Sequence, residues 1–256
     1  MTFTFKNTPI YYSITGSGPA MVLLHGFLES STMWEHYLGS LSEKHTVITV
    51  DFPGHGQSGV ISEIHSMNLM AKMVHALLQE LKIDSATFVG HSMGGYVALA
   101  FTELYEQRVE KLLLINSTSV ADSEERKQNR RRALKVLDNN SEAFISMAIT
   151  NLFPEKSREL YSKRIESLKK QALQFPVEGI QAAIRGMIDR KNRTDVLANF
   201  NKEKILVSGI EDPIMSISEA ESISEKTNTT LIKLNSGHMS WIENEREIDK
   251  IMHFIE

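Results

Sequence analysis

The sequence predicts an α/β domain built on a mostly parallel sheet. Three observations predict it. Short continuous apolar runs recur along the chain, as strands buried on both faces of a parallel sheet require. Between them lie helical patterns with apolar residues three and four apart. The alternation of strand, helix and strand then needs helices on both faces of one sheet. A chain of 256 residues is near the upper end of what one core supports, so residues 1–256 are expected to form one domain with an inserted subdomain.

The elements follow in order. Thr2 to Phe5 and Ile10 to Ile14 read as two short strands joined by a turn at Asn7-Thr8-Pro9, with Gly16-Ser17-Gly18-Pro19 closing the second. Met21–Leu24, Thr46–Val50, Ala86–Val89, Leu112–Ile115, Ile205–Val207 and Leu231–Leu234 read as further strands. The clearest helix covers Met67 to Leu81, where Met70, Met73, Val74, Leu77, Leu78 and Leu81 share one face. Gly94 to Leu104 is a second helix, and Ile248 to Ile255 a short final one.

One region breaks the alternation. Between about 117 and 193 there is helical pattern but no strand, and Pro154 and Pro176 mark helix starts or breaks within it. The basic run Arg126 to Arg132 reads as a solvated helix face rather than an anion-binding patch. An all-helical insert between two strands is expected to form a lid over the strand ends.

Composition excludes several classes. With no cysteine there are no disulfides, cysteine nucleophiles or thiolate metal sites. A net charge of −4 gives no electrostatic case for nucleic acid or an anionic membrane surface as partner. No stretch approaches the ~18 apolar residues of a membrane span. Residues 1–10 lack a basic segment followed by an apolar run, so the expected location is the cytoplasm.

The strongest chemical signal is Gly90-His91-Ser92-Met93-Gly94-Gly95, between the strand ending at Val89 and the helix from Gly94. A serine on a sharp strand-to-helix turn projects its oxygen above the sheet, and small neighbours are needed because the turn is tight. It also stands at a helix N-terminus, where free N–H groups favour developing negative charge. Ser92 is therefore the candidate nucleophile. His25-Gly26-Phe27 follows the strand Met21–Leu24, and the N–H of Phe27, with that of Met93, can form an oxyanion hole. After the strand Ile205–Val207 two carboxylates compete, Glu211 and Asp212. Asp212 lies further out and is stiffened by Pro213, so Asp212 is the candidate acid and Glu211 is expected to be solvated. His238, just beyond the strand Leu231–Leu234, is the candidate base. Acid and histidine both fall at strand C-terminal ends, where open α/β sheets build their sites. The loop Asp51-Phe52-Pro53-Gly54-His55-Gly56-Gln57-Ser58 reads as structural, because Asp51 and His55 precede the serine.

Together these motifs resemble the α/β-hydrolase superfamily, and they span nearly the whole chain. The resemblance implies an α/β-hydrolase fold: a mostly parallel eight-stranded sheet with the first pair antiparallel, flanked by helices, with a helical cap at about 118–185. Ala182 to Met187 looks like the helix that returns from the cap. It implies catalytic roles for Ser92, Asp212 and His238 in ester hydrolysis through an acyl-enzyme, with no metal or organic cofactor. Haloalkane dehalogenases and many epoxide hydrolases carry aspartate where Ser92 stands, which argues against both. The expected partner is a small-molecule substrate, an apolar acyl ester; Leu28 and Met239 are expected to line its pocket, with Met93, Met187 and Met215 as further candidates. Two alternatives stay open. One is a carbon–carbon bond hydrolase or menaquinone-pathway-type lyase acting on a carboxylated substrate, with Arg185 or an arginine of the 126–132 run as its cation. The other is a ligand receptor that retains the three residues.

Overall fold

The structure, a computed structural model, describes residues 1–254. Eight strands form one sheet: β1 (Thr2–Phe5), β2 (Thr8–Thr15), β3 (Ala20–Leu24), β4 (Thr46–Val50), β5 (Ala86–His91), β6 (Val109–Ile115), β7 (Lys204–Gly209) and β8 (Thr230–Leu234). Their spatial order is β1-β2-β4-β3-β5-β6-β7-β8. β2 pairs antiparallel with β1 and β4; every other neighbouring pair is parallel. The central strands are buried throughout β5 and over Met21–Leu24 and Leu112–Ile115, as the continuous apolar runs require.

The first hairpin is tighter than the sequence suggests. Lys6 and Asn7 alone reverse the chain, at φ 49° and 62°, and Thr8 and Pro9 already pair with Phe5 and Thr4. Two consecutive left-handed residues match the twist of a two-residue hairpin loop. Pro9 is tolerated because β2 meets β4 only from Tyr12 onward.

Helices α1 (Glu35–Leu41), α2 (Met67–Glu80) and α3 (Met93–Tyr105) lie among the first six strands. α2 starts where the Ser66 hydroxyl accepts the Leu69 N–H at 3.1 Å, and buries Met70, Met73, Val74, Leu77 and Leu78. Left-handed Lys82 (φ 57°) follows its end.

Between β6 and β7 the chain runs through α4 (Glu124–Asn139), α5 (Ser141–Thr150), α6 (Ser162–Ala172), α7 (Val177–Ile188) and α8 (Thr194–Asn199), with no strand. Pro176 is the N-cap residue of α7, and Pro154 that of a short 3-10 turn. α7 docks onto the loop after β4 through two glycines. Gly54 has φ +73°, and a Cβ on it would stand 2.4 Å from the Cα of Gly179. The Ala182 carbonyl accepts the His65 N–H at 2.9 Å beside this contact. The rest is α9 (Ile217–Thr227), α10 (Ser240–Glu243) and α11 (Glu245–Phe254); the Ile255 end of the expected last helix lies outside the described residues. No helix among the described residues is long and apolar enough to cross a membrane.

Candidate active site

Ser92 follows the last residue of β5 and precedes the first turn of α3. Its backbone is strained, at φ 49° and ψ −113°. Neighbouring glycines allow the turn: a Cβ on Gly94 would stand 2.2 Å from the Leu24 carbonyl oxygen, and one on Gly90 would stand 2.6 Å from Gly94 backbone atoms. The Ser117 hydroxyl donates to the Ser92 carbonyl at 2.8 Å and ties the turn to the end of β6.

The loops after β7 and β8 bring two partners to this serine. Ser92 Oγ is 2.9 Å from His238 Nε2, and His238 Nδ1 is 2.8 Å from Asp212 Oδ2. His238 and Asp212 are both buried. A carboxylate only accepts, so His238 Nδ1 carries the proton and Nε2 is left to accept from the serine hydroxyl. Asp212 Oδ1 accepts the N–H groups of Ile214 (2.7 Å) and Met215 (3.0 Å), and Asn116 Nδ2 donates to Oδ2 at 2.9 Å. Burial alone raises the Asp212 carboxyl, but the charge and hydrogen bond of His238, with the Asn116 and Ile214 donors, hold it below its ordinary value. Glu211 points elsewhere and pairs with exposed Lys156 at 2.5 Å.

Behind this line lies a second buried pair. His91 Nδ1 is 2.9 Å from Glu29 Oε2, and His91 Nε2 is 3.0 Å from the His238 carbonyl oxygen. Both partners are acceptors, so His91 donates from both nitrogens and is an imidazolium. Burial disfavours its charge, yet the Glu29 charge and hydrogen bond outweigh burial and raise its pKa; Glu29 is correspondingly held low. Glu29 also accepts the Gly26 N–H at 2.6 Å and the Trp241 indole N–H at 3.3 Å. One carboxylate thus ties the loop after β3, the elbow and α10 together.

His25 has a different job. Its Nδ1 lies 2.7 Å from the Gly26 carbonyl oxygen, and its Nε2 accepts the Phe52 N–H at 2.8 Å. One nitrogen donates and the other accepts, so the ring is neutral, as burial favours. It braces the Gly26-Phe27 loop, which Leu28 continues at φ 62°. The N–H groups of Phe27 and Met93 find no acceptor among the described residues. Asp51 is buried and accepts the Ser31 and Gln57 N–H groups at 2.7 and 2.8 Å, a loop-bracing arrangement.

A cavity of about 220 Å³ opens over Ser92 and His238, lined also by Phe27, Leu28 and Met187. Met239, expected in the sequence to line a pocket, is instead buried outside this lining, as are Met93 and Met215. Their side chains belong to the buried core instead. Arg185 also misses the cavity and donates to the Glu63 carbonyl at 3.2 Å. Arg130, from the run read as solvated, does line it.

A model of the alpha/beta hydrolase fold family matches residues 19–245. The chain belongs to the alpha/beta hydrolase fold family. Among solved structures, an esterase from Thermogutta terrifontis is 29% identical and superimposes with a TM-score of 0.89, covering 96% of this chain and 92% of that one. The enol-lactonase from Burkholderia xenovorans superimposes with a TM-score of 0.91 at 20% identity, over 100% and 99% of the two chains, a likeness of fold. Among curated proteins, 3-oxoadipate enol-lactonase 2 of Acinetobacter baylyi is 24% identical over 249 residues, 94% of this chain and 91% of its own. An uncharacterized protein of Mycobacterium tuberculosis is 39% identical over 109 residues, 43% of this chain; the match spans 32% of that relative's length.

Within this alpha/beta hydrolase, sequence reasoning missed Glu29, His91 and Asn116. His91 stood inside the serine motif with no partner in view, because Glu29 is 62 residues away. Asn116 carried a weak local signal. It directly follows a buried strand, and asparagine tolerates the left-handed backbone found there, at φ 46°.

Proposed function

We propose that this protein is a serine hydrolase that cleaves carboxylic esters through an acyl-enzyme. Its family and neighbours support a hydrolase. The observation that carries the finer reading is the hydrogen-bonded line from Ser92 Oγ through His238 to Asp212, at 2.9 and 2.8 Å. In this reading His238 Nε2 takes the serine proton as Oγ attacks the ester carbonyl, and Asp212 holds the ring in the required tautomer and stabilises the imidazolium. The unpartnered N–H groups of Phe27 and Met93 receive the developing oxyanion. His238 then protonates the leaving alcohol, and water repeats the sequence on the acyl-enzyme. Helices α4 to α7 act as a cap, since Arg130, Ala148 and Met187 from three of them line the cavity.

The test is covalent labelling. A fluorophosphonate probe should modify the wild-type protein at Ser92 and leave Ser92→Ala unmodified. Intact-protein mass showing no adduct on the folded wild type would sink the proposal.

A further inference from the structure

We propose that the ester carries a free carboxylate close to the scissile bond and that Arg130 recognises it; this rests on the reading of Ser92 as an esterase nucleophile. Asp122, whose side chain is fully buried, accepts from two guanidinium groups: Arg130 Nε at 2.6 Å and Arg190 NH2 at 2.7 Å. Arg190 is itself buried, donates its other terminal nitrogen to the Val120 carbonyl at 2.7 Å, and lies 4.1 Å over the ring of Tyr96, which lines the cavity. Arg190 therefore balances Asp122, with both terminal nitrogens engaged and its Nε buried without a partner. The charge of Arg130 is left over.

Arg130 lines the cavity that holds Ser92 and His238. Its Nε is spent on Asp122, and neither terminal nitrogen donates to any described residue. These two nitrogens form the planar edge that binds a carboxylate through two parallel hydrogen bonds. The Asp122 contact fixes the guanidinium and lowers the ordering cost of such a contact. Glu29, the other formally charged residue of the lining apart from histidines, is already paired with the His91 imidazolium. The cavity thus offers one unmatched positive charge among mainly apolar walls. One cation beside a carboxylate suits a monoanion better than a phosphate dianion. At about 220 Å³ the space is smaller than the ~300–1,000 Å³ usual for drug-sized ligands, which favours a short acid over a long acyl chain.

The carboxylate can sit on the acyl or the alcohol side, and two matched ester pairs separate these. One pair is an aryl hemisuccinate against the aryl butyrate. The other is O-acetylglycolate against ethyl acetate. In the wild type the charged member of at least one pair should have the higher kcat/KM. Arg130→Gln should lower that charged-to-neutral ratio about 10–100-fold, the effect of removing one partner of a partly buried charge pair. Arg130→Lys should keep more of the ratio than Arg130→Gln. In the wild type alone, succinate should compete with a neutral ester while butyramide at equal concentration does not, a readout that survives if the variants fold poorly. Neutral esters turned over with charged-to-neutral ratios near one in both pairs, or a ratio unchanged by Arg130→Gln, overturns this inference and leaves the esterase reading standing. No ester turnover together with no probe on Ser92 overturns both.

Discussion

Glu29 and His91 form a buried ion pair, 2.9 Å apart, on the far side of the loop that carries His238. Its pH dependence follows from the two shifts. The Glu29 carboxyl is depressed below its ordinary 4.5, so its contribution is present above that value and is lost as pH falls through the depressed pKa. His91 is raised above its ordinary 6.5, so its contribution is complete below 6.5 and is lost as pH rises through the raised pKa. The pair therefore stabilises most between those two values. Glu29→Gln leaves a buried cation unpaired and should cost about 3 kcal/mol, the lower end for breaking such a pair. Calorimetry from pH 5.5 upward should show the Tm gap from wild type shrinking as pH rises through the raised His91 pKa. A variant as stable as the wild type at pH 5.5 would deny the ion pair.

The acid of the line separates two adjacent carboxylates. Asp212→Asn should lower kcat/KM by about 10⁴-fold, because an amide in its place favours the wrong tautomer of His238. Glu211→Gln removes only a pair with exposed Lys156 and should stay within about twofold. Steady-state kinetics on an aryl ester with the reverse ranking would move the acid role to Glu211.

Asn116 touches the proposed catalytic acid, Asp212. Its Nδ2 bridges Asp212 Oδ2 at 2.9 Å and the Gly237 carbonyl at 3.1 Å. Asn116→Gly keeps the left-handed backbone and removes the side chain. It should lower kcat about tenfold, as for loss of one hydrogen bond to a charged group. Losing a donor also lets the Asp212 carboxyl rise toward its ordinary value. Wild-type kcat would leave Asn116 a purely backbone role.

The seat of α7 is a third kind of test. A Cβ on Gly179 would lie 2.5 Å from the Gly54 Cα, and backbone stands on both sides, so something must shift. Gly179→Ala should cost about 1–3 kcal/mol by overpacking, lowering Tm by several degrees in a chain of this size. Because α7 carries Met187 on the cavity, KM should rise with it. A variant with unchanged Tm and KM would show that this contact is slack.

The frame and the three residues of the line were legible for related reasons. Buried strands read as unbroken apolar runs, and the loops after β5, β7 and β8 carry Ser92, Asp212 and His238 at the same end of a parallel sheet. The pocket was less legible. Leu28 and Met239 look alike as apolar neighbours of motif residues, yet Leu28 lines the cavity and Met239 enters the core. The surrounding packing decides between them, and no local pattern records it. The 126–132 run read as one solvated face, but α4 turns Arg130 inward to a buried Asp122 eight residues earlier in the chain.

By itself the sequence determined the α/β alternation, the elbow at Ser92 and the chain order of serine, acid and histidine, because periodicity and turn chemistry act over a few residues. Only the tertiary structure decided that Glu29 charges His91, that Asn116 steadies Asp212, and that Arg130 faces the cavity. Those depend on which loops meet once the strands are paired. The groups concerned are 62 and 96 residues apart in the first two cases, and a long-range contact leaves no mark on either stretch of sequence alone.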